Sequence, residues 1–289
     1  MKDKTMSKNK LTCQQKGEIV QKYNTGKYSC NQLGKEYLCT SQNISYILKK
    51  QGIVVKNVTN KLINKYSFNE NYFDKIDSER KAYWLGFLYA DGSVCGSVRK
   101  EHLSFVLQER DKYIIDEFTK DIQSNHPITF LPKKKESHQN HNGIYIYSTY
   151  LCKSLTKQGC HANKTYTLKF PTEEQVPANL IHHFIRGMWD GDGHIGFYNY
   201  GGKITTNNKL VGTIDICLQI QRIFIQNDIN CHIQWDKRTD KQIREIKVKQ
   251  ESLIKFKQFL YKDATFYLTR KYDNILKYEE YMATRNKSS

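Results

Sequence analysis

Two short stretches of this chain are near copies, and the copying limits what the chain can fold into more than any other feature. Trp84-Leu85-Gly86-Phe87-Leu88-Tyr89-Ala90-Asp91-Gly92 returns as Ile185-Arg186-Gly187-Met188-Trp189-Asp190-Gly191-Asp192-Gly193. Each is an apolar helical run closed by Asp-Gly. Gly86 and Ala90 lie four apart, as do Gly187 and Gly191, so each helix carries a stripe nearly bare of side chain. A glycine inside a helix costs about 1 kcal/mol relative to alanine. Small residues repeated at this spacing in both copies therefore predict that two helix backbones touch.

Asp91 and Asp192 follow the stripe, each before a glycine of the kind that ends helices in a left-handed conformation. A carboxylate at a helix C-terminus faces the negative end of the dipole, and two brought together also repel. A cation is expected between them. Hard oxygen ligands at a partly hydrated site favour Mg²⁺ or a similar ion such as Mn²⁺, with Asp91 and Asp192 and the adjoining Gly92 and Gly193 as the metal site. Asp190 lies two residues before Asp192, and on a helix the two point about 200° apart, so both cannot face one metal. Asp192 is preferred because it matches Asp91 in register with the following glycine. His194 follows the second motif where a general base could act, but Ser93 holds that place in the first, so a structural or DNA-contacting role fits it better.

The paired motifs resemble those of the single-chain, two-motif LAGLIDADG homing endonucleases, whose metal-binding acid, the last acidic residue of the motif, falls on Asp91 and Asp192. The resemblance runs from about Tyr66 to the C-terminus. It implies a metal-dependent cut in both DNA strands across the minor groove, with short 3′ overhangs, and the homing of an intron or a free-standing gene. A further echo links Gly159-Cys160-His161-Ala162-Asn163-Lys164 with Tyr261-Lys262-Asp263 and the residues up to Tyr272. In the resembled family a basic residue here sits beside the metal's water network, which implies Lys164 in the first copy and Lys271, or alternatively Arg270, in the second as catalytic residues beside Asp91 and Asp192.

The predicted fold class is α+β: two pseudo-symmetric αββαββα repeats forming a DNA-binding saddle, preceded by a small all-α helix-turn-helix domain. Boundaries are expected at 1–10 for a disordered tail, 11–52 for the helix-turn-helix, 53–66 for a linker, and 67–170 and 171–289 for the repeats. Strands are expected near 94–98, 102–107, 128–131 and 143–148, and near 194–200, 203–209, 229–236 and 243–248.

Charge points to the partner. The chain carries 46 basic and 29 acidic residues, a net +17, which implies a polyanion. Residues 1–66 hold 13 lysines against three acids. In the helix-turn-helix the third helix is expected to enter the major groove, with Gln42, Asn43, Ser45, Tyr46 and Lys49 as readers. On the saddle, Arg99, Lys100, Lys133, Lys134, Lys135, Lys237, Arg238 and Lys241 are the DNA-binding candidates. Double-stranded DNA is the expected partner, with the protein a monomer. A non-cleaving DNA-binding regulator and an RNA-splicing maturase on intron RNA are the alternatives.

No run of about 18 apolar residues predicts a membrane span. The N-terminus lacks the apolar stretch of a signal peptide. An intracellular, soluble protein of a bacterial or phage-host cytoplasm, or of an organelle, is expected. The eight cysteines include no Cys-x-x-Cys pair, so neither a zinc ribbon nor a disulfide framework is suggested.

Overall fold

The computed structural model describes residues 11–25, 28–53, 55, 66–96, 101–235 and 243–287. They fall into two compact units, residues 1–65 and 66–289. In the first unit, α1 (Cys13–Asn24) and α2 (Cys30–Glu36) each begin with a capping box, Thr12 with Gln15 and Ser29 with Gln32. Thr40 caps α3 (Ser41–Lys50) through the Asn43 amide. Ile19, Leu33, Ile44 and Leu48 form its small core. The turn between α2 and α3 is tight. A Cβ on Gly34 would sit 2.8 Å from the Cys39 carbonyl, and Leu38 takes a left-handed φ of 51° to make the corner.

The second unit is built from two repeats of one order. The first is α4 (Glu79–Ala90), β1 (Gly92–Cys95), β2 (His102–Gln108), α5 (Lys112–Asp121), β3 (Thr129–Leu131), β4 (His141–Tyr147) and α6 (Thr149–Lys157). The second is α7 (Ile181–Asp192), β5 (Gly193–Tyr200), β6 (Lys203–Thr213), α8 (Ile214–Gln226), β7 (Cys231–Trp235), β8 (Ile243–Val248) and α9 (Leu253–Leu260), followed by α10 (Thr269–Lys287). Both repeats match the expected αββαββα order.

Each repeat folds into an antiparallel four-stranded sheet, with strand orders β1-β2-β4-β3 and β5-β6-β8-β7. Alternation along the strands decides what each face meets. Leu103, Phe105 and Leu107 of β2 are buried, whereas His102, Ser104, Val106 and Gln108 between them are only partly covered. Helices α5 and α8 lie against the apolar sides of their own sheets, which leaves the opposite faces open.

Several strand ends depart from the sequence reading; β4 starts two residues earlier than expected, at His141, and β7 two later, at Cys231. β1 and β5 start at the glycine of each motif, two residues and one residue earlier than expected, because the chain passes from helix to strand without a loop. β6 runs on to Thr213 instead of ending near Lys209, since Gly212 pairs with Arg244 in the ladder and does not break it. Of the remaining expected residues of β1, Gly96 leaves the strand at a φ of 107°, and Ser97 and Val98 lie outside the described residues.

The halves are locked by polar groups that motif reading did not anticipate. Arg186, with no exposed surface, donates to Glu79 Oε1 at 2.6 Å and to the Leu260 carbonyl at 3.0 Å. Glu79 also accepts the Thr265 amide at 2.9 Å. Burial, aided by the Arg186 charge, pushes the His183 pKa down to about 3, so its neutral Nδ1 accepts from Arg186 at 2.5 Å. A buried guanidinium needs this set of acceptors to offset its lost hydration.

Candidate active site at the paired helix ends

Helices α4 and α7 cross with their backbones in contact. A Cβ on Gly86 would lie 2.0 Å from the Phe184 carbonyl oxygen, and one on Gly187 would lie 2.0 Å from that of Tyr83. The two approaches are the same contact seen from each repeat, so the helix pair is itself pseudo-symmetric. One level nearer the tips the symmetry breaks: a Cβ on Gly191 would fall 2.4 Å from the Ala90 Cβ, so the crossing has room for a single methyl there.

Just past this point the chain delivers the acids. Asp91 closes α4, its amide donating to the Phe87 carbonyl at 2.9 Å, and Asp192 is the last residue of α7. Asp91 Oδ2 lies 3.1 Å from where a Cβ on Gly191 would stand, which puts the first repeat's acid against the second repeat's helix end.

The glycines after the acids are not left-handed, contrary to the expectation. Gly193 has φ −78° and ψ 161°, and Gly92 is not among the positive-φ residues. They are required by close approach instead. A Cβ on Gly92 would meet the Leu88 carbonyl at 2.7 Å, and one on Gly193 would meet that of Trp189 at 2.4 Å. An abrupt helix-to-strand turn folds the strand back over the last helical turn and leaves no room for a side chain.

The setting raises the acids' pKa values. Accessible area leaves both carboxyls exposed, whereas the protein mass around them approaches that of an interior. The second sets the direction of the shift and the first limits its size. Crowding by protein, with the Asp192 charge beside it, pushes Asp91 up to about 7. Asp192 is raised as well, by the same crowding, against the opposing charges of Lys164 and Lys271. A carboxyl raised in the folded state takes stability away as pH climbs from its unfolded value near 4 towards 7. In chelator, the Asp91→Asn/Asp192→Asn protein should therefore melt above wild type at pH 8, with the gap shrinking at pH 4. Thermal melts at the two pH values check this, and a gap independent of pH would contradict it.

Lys164 and Lys271 reach the same helix ends. Lys271, 4 % exposed, donates to the carbonyls of Trp189 at 2.8 Å, Asp190 at 2.6 Å and Gly191 at 3.0 Å. Its three donors thus cap the C-terminus of α7. Burial, only partly opposed by Asp190, pulls its pKa down to about 8. Half-buried Lys164 donates to the Gly92 carbonyl just beyond α4. Both ammonium groups offset the negative helix ends. Arg270 is engaged elsewhere, forked onto Asp111 at 2.8 and 2.9 Å.

Asp190 is buried away from the tips. Its Oδ2 accepts the Tyr83 hydroxyl at 2.9 Å and the Leu268 amide at 2.8 Å, while its Oδ1 has no partner. His194 Nε2 lies 2.9 Å from the Tyr198 hydroxyl on the open face of β5.

Among the described residues no group of three or more His, Cys, Asp or Glu side chains could hold a metal. Two carboxylates with nearby carbonyls suit a cation that keeps several waters and takes its remaining ligands from a phosphate, as Mg²⁺ does.

Of the proposed DNA contacts, Gln42, Asn43, Tyr46 and Lys49 are exposed along one side of α3, and Ser45 is partly so. Lys133, Lys134 and Lys135 are exposed after β3, with Lys133 paired to Glu136 at 2.8 Å. Arg99, Lys100, Lys237, Arg238 and Lys241 lie outside the described residues.

Comparison with solved structures bears on the fold. The homing endonuclease I-WcaI bound to its DNA recognition sequence superposes with a TM-score of 0.52 at 15 % identity, over 78 % of this chain and 97 % of that one. The chain has the LAGLIDADG homing endonuclease fold. Other similar structures include I-SmaMI bound to cleaved DNA (TM-score 0.49, 11 % identity, 73 % of this chain and 92 % of that one) and the LAGLIDADG homing endonuclease I-LtrWI bound to target DNA (0.47, 11 %, 74 % and 92 %). Ahead of the homing endonuclease fold, residues 6–53 match the CENP-B N-terminal DNA-binding domain. No curated protein matches the chain in sequence. No helix among the described residues is long and apolar enough to cross a membrane.

Proposed function

We propose that this chain is a monomeric, site-specific DNA endonuclease that hydrolyses one phosphodiester in each strand across the minor groove, leaving 3′ overhangs, and that it serves the homing of a mobile genetic element. The observation that carries the reading is the delivery of two carboxylates to one point by helix backbones in contact. A structural helix pair has no use for like charges there, and the reading is supported by the surrounding protein, which raises both acids, Asp91 further by the Asp192 charge.

Asp91 and Asp192 would hold divalent metal, Mg²⁺ or Mn²⁺, with the carbonyls of Gly92 and Gly193 beside it. When bound, the ion supplies an acidified water and charge stabilisation at the leaving oxygen. The protein's part is positional. Asp91 would serve one strand and Asp192 the other, each held in place for its phosphate across a narrowed groove by the close helix crossing. Lys164 and Lys271 keep positive charge behind the tips, favouring ionised carboxylates and a phosphate gathering negative charge. The open sheet faces would lie in the major groove and read bases, while the N-terminal unit extends the footprint through α3.

The deciding experiment is incubation with a plasmid library carrying the insertion locus of the gene, with Mg²⁺ or with EDTA. Linear product with short 3′ overhangs in Mg²⁺ alone is expected. Sequence-selective binding without a cut in either Mg²⁺ or Mn²⁺ would leave a non-cleaving DNA-binding protein in its place.

The basic N-terminal unit has a separate test. Deleting residues 1–66, with their 13 lysines, should weaken binding on the order of 100-fold and flatten its salt dependence. Equal binding by both forms at every salt concentration would remove that unit from the DNA contact.

A further inference from the structure

The open face of the second sheet carries a row of basic side chains that the paired acids do not explain. Strand register sets His194 opposite Lys209, Lys209 opposite Lys247, and Lys247 opposite His232, so the row crosses all four strands. Like charges directly opposite on neighbouring strands repel, and this row holds no acid of its own. The equivalent row of the first sheet, Ser93, Ser104 and Tyr145, is uncharged.

Compensation comes from one step along β8. Glu245, 4 % exposed although on the open face, accepts Lys209 Nζ at 2.5 Å on Oε2. Its Oε1 takes Gln234 Nε2 at 2.7 Å and pairs with Lys247 Nζ at 3.3 Å. Burial opposes its charge, yet the hydrogen bonds from Lys209 and Lys247 outweigh that and hold its pKa below the usual range, so it is a carboxylate.

We propose that Glu245 is a positioning residue for sequence readout: it fixes Lys209, Lys247 and Gln234 as one preorganised triad that recognises base edges in the half of the DNA site under the second repeat. The proposal rests on the DNA-binding reading above. A free lysine is a mobile point charge that settles on phosphate as readily as on a base. Held by the carboxylate, each ammonium keeps donors to spare for guanine O6 and N7, and both side chains remain partly open, at 25 % and 33 % exposure. The same anion turns the Gln234 amide nitrogen inward, leaving its carbonyl oxygen as an acceptor on the open side. Glu245 has both oxygens occupied and almost no surface, so it does not read cytosine amino groups itself.

The test is selection of bound sequences from a random DNA pool, with the salt dependence of binding, for wild type and Glu245→Gln. Preference at the base pairs under the second repeat should fall at least about tenfold per position. Binding to unrelated DNA should strengthen, with a salt slope steeper by about 0.9 for each lysine released to phosphate. Preferences under the first repeat should not change. Unchanged preference and slope in a folded Glu245→Gln protein overturn the proposal. If thermal melts show that this variant fails to fold, Lys209→Gln and Lys247→Gln decide instead. Selective loss of preference under the second repeat supports the proposal, and uniform weakening on all sequences overturns it. Failure of wild type to select any sequence would instead remove the reading on which the proposal rests.

Discussion

Asp91→Asn is expected to lower double-strand cleavage at least about 100-fold while leaving DNA binding intact. Asparagine keeps the size of the side chain and one oxygen, so the crossing of α4 and α7 should survive. What goes is the charge that holds a divalent ion against the scissile phosphate, and losing one such electrostatic element costs on the order of 100- to 1,000-fold in rate. Affinity should hold or rise slightly, because a negative group beside the DNA phosphates has been removed. Asp192→Asn should behave alike, since it holds the matching place at the end of α7. Supercoiled plasmid is the informative substrate, for it separates nicked from linear product and shows whether each acid serves its own strand. Cutting at the wild-type rate by either variant would refute the assignment of these two acids.

Gly187→Leu should have the largest effect on the fold. The groups that a new Cβ would meet are backbone: the Tyr83 carbonyl oxygen at 2.0 Å and the Phe87 nitrogen at 2.8 Å. Backbone inside a packed helix cannot swing aside, so the helices must part, and the buried Tyr83, Phe87 and Phe184 lose contact with them. Overpacking with a repacked core costs several kcal/mol. For a unit of this size, a loss of about 4 kcal/mol lowers the melting temperature by roughly 10 °C. Gly17→Ala is the control: it lies on exposed α1 with nothing within 4 Å of an added Cβ, and it should stabilise that helix slightly. A Gly187→Leu protein that melts with wild type would show that the close crossing is not what the fold depends on.

The fold was legible because duplication doubles every signal. Alternating strands and capped helices are weak indications singly, but their recurrence in the same order made a two-repeat architecture readable from sequence. Helix starts carry a signal of the same local kind, as Thr12, Ser29 and Ser78 each accept the backbone amide three residues on. Gly92 and Gly193 were misread because Asp-Gly after a helix has two physical causes. A left-handed cap and a close backbone approach call for the same residue, and only coordinates separate them.

Glu245 was invisible for another reason. An acid in an alternating strand reads as a solvated face, and nothing local says that Lys209, 36 positions earlier, will reach it. The Glu79 pair with Arg186 was hidden in the same way, since Arg186 occupies a motif position at which the first repeat has Leu85.

The methyl of Ala90 nesting over Gly191 reaches beyond this one molecule. A dimer of two first repeats would bring two alanine methyls to a place where the crossing leaves 2.4 Å. A dimer of two second repeats would set glycine on glycine and leave a hollow. The joint as it stands is asymmetric, with one methyl filling the space between the two helices at this level. The two halves are thus fitted to each other at this level, although one turn earlier each meets the other through the same glycine-to-carbonyl contact.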